Sequence, residues 1–140
     1  MDRLDLVIKW RFFKSIQNNN DRDAEAIYCR HILARTNGRE PGGSKLTIDD
    51  YVKAAHSLYC SMESDGFDGR FPVIIGSNGR LRDGAHRIAC ALALDVEYVQ
   101  AKNDRRPGLA TEWGRYFLKS CNFTELEVRR VESDLARLLK

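Results

Sequence analysis

Asp83-Gly84-Ala85-His86-Arg87 is the stretch of this chain whose residue types and spacing suit chemistry best. Arg80 to Arg82 reads as a short strand, Asp83-Gly84 as a tight turn, and Ala85 to about Leu94 as a helix. Glycine takes backbone angles that side chains resist, so Gly84 lets the chain swing from strand to helix. The first amides of such a helix lack internal partners, and the helix dipole adds partial positive charge at that end. His86 and Arg87 fall in this first turn, where cations are unfavourable unless an anion joins them. Unpaired amides beside two basic side chains make a cradle for phosphate.

The elements that must position this turn follow from periodicity. Leu4 to Ile16 has apolar residues at a helical spacing, although Leu4, Leu6 and Ile8 also alternate as in a strand. Asn18 to Asp21 breaks the pattern, and a second helix runs to about Arg35, ended by Asn37-Gly38. Residues 37–46 form a glycine-rich loop. Thr47 with Asp50 forms a capping box for a third helix, whose inner face is Ile48, Tyr51, Val52, Ala55, Leu58 or Tyr59, and Met62, with Gly66 as its stop. Phe71 to Ile75 reads as a strand, Ser77-Asn78-Gly79 as a hairpin turn, and Val96 to Ala101 as a further strand. A short helix is expected near Glu112 to Lys119. Thr124 with Glu127 opens a terminal helix striped by Val128, Val131, Leu135, Leu138 and Leu139. The expectation is an α+β fold, a small mixed sheet flanked by helices.

The turn and its flanks resemble the ParB/sulfiredoxin-like superfamily. The resemblance rests on Asp83-Gly84-Ala85-His86-Arg87 followed by Ile88-Ala89-Cys90-Ala91-Leu92, and on Ser61 through Gly66-Phe67-Asp68 leading into Phe71-Pro72-Val73-Ile74-Ile75. It covers roughly residues 45–100, about 40% of the chain. It implies a ParB/sulfiredoxin-like fold over 1–140 as a single domain. The core would be about 45–101, with helical additions at both ends. It also implies a nucleotide phosphate held at the turn by Gly84, Ala85, His86 and Arg87, with Arg82 adding charge. Members include sulfiredoxins, nucleotide-binding DNA-partition proteins and a kinase of free serine, so the resemblance implies a ligand type and leaves the reaction open.

One residue argues against sulfinic-acid repair. Sulfiredoxins carry a nucleophilic cysteine just before the motif histidine, and here that position is Ala85. The expected function is an ATP- or ADP-dependent phosphotransferase acting on a small hydroxyl-bearing metabolite. The alternative is a nucleotide-gated DNA-binding or partner-binding module of the ParB type. Such a module needs a recognition helix, and Gly108 to Lys140 offers none, although Arg129, Arg130 and Arg137 leave weak phosphate contact open.

A kinase needs a group to orient or deprotonate the acceptor. Glu25, Glu40, Asp49, Asp50, Glu63 and Asp68 qualify by type. Glu40 is preferred, because it lies on a glycine-rich loop able to fold over a ligand. Asp83, His86 and Glu40 are therefore the expected catalytic residues. Asp83 either holds Mg2+ or is a turn residue bonding its own backbone. Lys45 reaches a phosphate or is a solvated lysine, and His31 is a further candidate on a helix. Gly38 to Lys45 is not a P-loop: Ser44 separates Gly43 from Lys45, and a helix precedes the loop. His31, His56 and His86 are scattered, with no zinc spacing.

Composition bounds the rest. The 140 residues are 43% hydrophobic and 31% charged, enough for a core under a solvated surface. With 23 basic against 20 acidic residues, the net charge of +3 does not describe a general nucleic-acid binder. The excess is local, since Arg70, Arg80, Arg82 and Arg87 face only Asp83 between positions 70 and 87. No apolar run is long enough to span a bilayer, and the first residues lack a signal-peptide pattern. Cys29, Cys60, Cys90 and Cys121 form no Cys-x-x-Cys pair and are expected to be buried, reduced thiols of a cytoplasmic protein.

Overall fold

A computed structural model describes residues 3–19, 21–108 and 114–139. Its elements are helices α1 (Leu4–Asn18), α2 (Arg22–Thr36) and α3 (Ile48–Asp65), strands β1 (Val73–Ile75) and β2 (Leu81–Asp83), and helix α4 (Ala85–Ala93). Strand β3 (Ala101–Asn103) and helices α5 (Arg115–Ser120) and α6 (Glu125–Leu138) complete it. This is an α+β fold, a small mixed sheet flanked by helices. Among the described residues no helix is long and apolar enough to cross a membrane.

Local chemistry sets the helix ends. The Asp21 carboxylate accepts from the Ala24 amide at 3.1 Å to open α2, and Asn37 closes it in the left-handed region. Both capping boxes form: Thr47 with Asp50 opens α3, and Thr124 with Glu127 opens α6. Gly66 caps α3 at φ 77°. The expected short helix at Glu112 begins instead at Arg115, and Glu112 itself lies outside the described residues.

Helix α1 is the centre of the core. Leu4, Val7, Ile8, Phe12 and Phe13 are all buried and meet α2, α4 and α6. Phe12 stacks on Tyr28 of α2 with centroids 4.3 Å apart and planes 7° off parallel. On α4 the residues turned inward are Ala89, Cys90, Ala91 and Ala93, small enough to bring its backbone close to α1. The α6 stripe is buried at Val128 and Val131, whereas Leu139 is exposed.

The sheet has the order β2-β1-β3. Strands β1 and β2 are antiparallel, Ile74 opposite Asp83, and Gly79 turns their hairpin at φ 72°. Strands β1 and β3 are parallel, with Val73 opposite Ala101.

Two expectations are corrected. The strand foreseen at Val96 to Ala101 is paired only from Ala101 to Asn103. Val96 and Val99, three apart, both pack on the core, which the two-residue alternation of a strand does not permit. The cysteines are not uniformly buried: Cys90 is, Cys29 and Cys121 are half-buried, and Cys60 is exposed. Cys60 follows Tyr59, the inward residue of α3, and so points away from the core. All four thiols are free.

Candidate functional site

Strand β2 delivers the chain to Gly84, whose φ of 100° lies where side chains are strained. A Cβ there would stand 2.8 Å from Val73 Cγ1 and 3.2 Å from Val73 Cα, so the residue lies directly against β1. Helix α4 starts at the next residue with no side-chain cap and no acidic residue in its first turn. Its first amides therefore have no side-chain partner, and the dipole adds partial positive charge at that end.

That turn forms the floor of a hollow of about 520 Å³. Arg82, Asp83, Gly84, Ala85, His86, Arg87 and Glu40, each expected from the sequence, all line it. Lys45 and Tyr51 join them, and so do Arg3 and Arg35. Glu40, Pro41 and Lys45 of the glycine-rich loop line the same hollow as the strand–turn–helix motif.

The side chains are tightly engaged. Arg87 Nη1 donates to the carbonyls of Phe71 (2.6 Å) and Pro72 (3.1 Å), while Nη2 bonds Asp83 Oδ2 at 2.7 Å. Arg87 therefore ties α4 to the entry of β1 as well as facing the hollow. Arg82 donates to the Pro107 carbonyl at 2.9 Å and stands 3.4 Å from Asp104. Glu40 pairs with Lys45 at 3.1 Å, and Lys45 lies 5.4 Å above the Tyr51 ring.

His86 is set by its surroundings. Its Nε2 shares a hydrogen bond of 2.9 Å with the Tyr28 hydroxyl, and the two rings meet edge to face. Burial, reinforced by Lys9, Arg35, Lys45 and His31, pushes its pKa well below 6.5. The imidazole is neutral at pH 7, a hydrogen-bonding group rather than a cation.

Sequence reasoning missed the back of the site. Arg3 forks onto Asp5 at 2.7 and 2.9 Å and reaches the Leu81 carbonyl at 3.4 Å. Asp5 in turn bonds Lys9 at 3.1 Å, and both side chains are fully buried. Burial lowers the Lys9 pKa to about 8 against the pull of Asp5. Burial works against ionisation of Asp5 too, but Arg3 and Lys9 hold its carboxyl well below the usual range. The i, i+4 spacing of Asp5 and Lys9 was a usable signal for the pair. Nothing local marked Arg3, Arg35 or Tyr28 as neighbours of residue 86.

A second hollow of about 460 Å³ adjoins the first. Leu58, Met62, Phe67 and Phe71 give it an apolar lining, edged by Ser57, Ser61 and Asp68, and Arg87 lines both spaces. A larger depression of about 850 Å³ between α1 and α6 holds none of the residues expected at the strand–turn–helix site, although Arg130 and Arg137, at which the sequence left phosphate contact open, line it. Within it Arg11 pairs with Asp21 and Asp134, and Arg137 with Asp134, while Lys14 and Arg130 reach Asp95 and Asp23 beyond its lining.

Among the described residues no three His, Cys, Asp or Glu side chains gather to hold a metal ion. Mg2+ brought by a nucleotide needs only one or two carboxylates. Asp83 fits that need: Arg87 holds one of its oxygens, and the side chain is 70% exposed. Ala85 offers no nucleophile in the position it occupies on the floor.

Scans of protein-family models, of curated proteins and of solved structures find no match to this chain.

Proposed function

We propose that the chain binds a purine nucleotide and transfers its terminal phosphate to a small hydroxyl-bearing metabolite, as the ParB/sulfiredoxin-like resemblance implies. The observation that carries this reading is the meeting of two unlike hollows at Arg87, one apolar and one basic. The apolar hollow suits a flat base against Phe71, Leu58 and Met62. The phosphates then run past Arg87 to the amides at the start of α4, where dipole and guanidinium both favour negative charge. Glu40 and Lys45, across the basic hollow, face the place an acceptor would take.

In the transfer the acceptor oxygen bonds to the terminal phosphorus as that atom's bond to the bridging oxygen breaks. The electron pair leaves with the shortened nucleotide, and Glu40 takes the hydroxyl proton. Arg82, Arg87 and the α4 amides oppose the charge that develops on the phosphoryl oxygens; such reactions are catalysed mainly by position and charge. Mg2+ held beside Asp83 would neutralise part of the nucleotide's own charge. His86, neutral and anchored by Tyr28, positions rather than titrates. The free thiols fit a reducing, cytoplasmic setting. The arginines of α6 give the DNA-binding alternative no support, since Arg129, Arg130 and Arg137 each meet a carboxylate.

The test is a thermal-shift screen against ATP, ADP, CTP and GTP with Mg2+. ATP or ADP should stabilise the protein, by about 2.7 kcal/mol at a hundred times Kd. No shift with any of the four would refute the reading.

A further inference from the structure

We infer that Tyr28 is a positioning residue of the phosphate site: its hydroxyl donates to His86 Nε2, keeps the imidazole proton on Nδ1, and so makes Nδ1 a donor to a bound phosphate. This rests on the nucleotide reading above and names the residue that places the proton of its histidine.

A neutral imidazole carries one N–H, and the partner of one nitrogen decides which nitrogen holds it. Tyr28 is fully buried, with Phe12 stacked flat on its ring. Burial raises its pKa well above the usual phenol range, so the hydroxyl keeps its hydrogen. That hydrogen needs an acceptor. Among the described residues the one hydrogen-bond partner of the Tyr28 hydroxyl is His86 Nε2, at 2.9 Å. A proton on Nε2 would set two hydrogens against each other, or turn the hydroxyl hydrogen into the core with no acceptor, which buried polar groups avoid. The hydroxyl is therefore the donor and Nε2 the acceptor, and the imidazole proton sits on Nδ1. Free histidine in water prefers the opposite arrangement, so Tyr28 reverses the ring's own preference.

Nδ1 is placed to use that proton outward. His86 is half-buried and lines the basic hollow beside Gly84, Ala85 and Arg87. Its Nδ1 makes no hydrogen bond among the described residues and is not sealed off from water. The residue lies in the first turn of α4, beside amides that no side chain caps. A phosphate oxygen resting on those amides is the acceptor that Nδ1 meets. With the proton on Nε2, Nδ1 would turn a lone pair toward the same oxygen and repel it. The ring is neutral, so it contributes a hydrogen bond while Arg87 contributes charge.

The experiment is nitrogen NMR of the full chain, isotope-labelled at histidine, which reads which ring nitrogen holds the proton, together with calorimetric titration of ADP. The His86 signals are assigned by their loss in His86→Asn. In the parent chain at neutral pH the proton should lie on Nδ1 without ligand, and saturating ADP should shift Nδ1 and leave the proton there. In Tyr28→Phe, which keeps the stack on Phe12, the proton should move mainly to Nε2, and ADP affinity of the folded protein should fall about fivefold. His86→Asn puts an amide donor where Nδ1 lies, whereas the longer arm of His86→Gln puts one where Nε2 lies. The first should bind ADP about tenfold more tightly than the second.

With ADP bound by the parent chain, a proton on Nε2, an unchanged affinity in Tyr28→Phe, or equal affinities in the two His86 variants would overturn the proposal and leave the nucleotide reading standing. No ADP binding by the parent chain would sink that reading, and this role of Tyr28 with it.

Discussion

The Tyr28 hydroxyl and His86 Nε2 stand 2.9 Å apart, joining α2 to the first turn of α4 across fifty-eight residues of chain. Tyr28 is fully buried and held flat against Phe12, so the ring of His86 is fixed from behind. Tyr28→Phe keeps the stack and removes only the bond. It should cost about 1–3 kcal/mol, the usual range for leaving a shielded polar atom without its partner. Urea unfolding at pH 7.5 measures it; a variant as stable as the parent chain contradicts the arrangement.

Gly84 should be harder to replace than Gly79. Gly84→Ala combines a left-handed backbone with a Cβ 2.8 Å from Val73, and should cost about 2–4 kcal/mol. Gly79→Ala is the matched comparison: φ is 72°, but nothing lies within 4 Å of its Cβ. It should cost only about 1–2 kcal/mol. Equal losses in the two variants would show that contact with Val73 does not matter.

These turns were the legible part of the molecule. Thr47 with Asp50, Thr124 with Glu127, and Gly84 after a strand each act within a few residues, so their signals are local and the structure bears them out. The strand at Val96 was misplaced because β3 exists only where the chain reaches β1, a partner more than twenty residues away. The candidate site was half legible. Gly84, His86 and Arg87 declare themselves by type and position. Arg3, Tyr28 and Arg35 reach the site only through the packing of α1 and α2 on α4, which no spacing along the chain encodes. Cys60 was misjudged for a similar reason: one step along α3 separates its exposed position from buried Tyr59.

Acid should weaken the fold earlier than carboxylates alone would. His31 is fully buried, and its pKa is pushed down from 6.5 to about 3, by burial first and Lys9 next. The unfolded chain therefore binds the proton that the folded chain refuses. Stability is full above pH 6.5 and falls as the pH drops from 6.5 toward 3. His86 shifts in the same direction and adds to the loss. Between pH 7.5 and 5, His31 alone should remove about 2 kcal/mol, at 1.36 kcal/mol per pH unit below 6.5. Urea midpoints across that range measure it, and a flat profile contradicts the burial of a neutral imidazole.

Arg87→Ala should show two losses at once. Its bonds to Phe71, Pro72 and Asp83 tie α4 to β1, so unfolding should become easier by about 1.5–3 kcal/mol. ADP affinity, measured on the folded fraction at low temperature, should fall ten- to a hundredfold. Loss of stability with unchanged ADP affinity would make Arg87 a fastener only.

The central claim is that a nucleotide's phosphates rest on the start of α4, and backbone amide NMR during ADP titration tests it most directly. The account predicts that the amide signals of Gly84, Ala85, His86 and Arg87 move together and saturate. Trp10 to Asn18 and Arg130 to Arg137, around the depression between α1 and α6, should stay still. Saturating ADP binding that moves the α1–α6 residues and leaves Gly84 to Arg87 unshifted would contradict it.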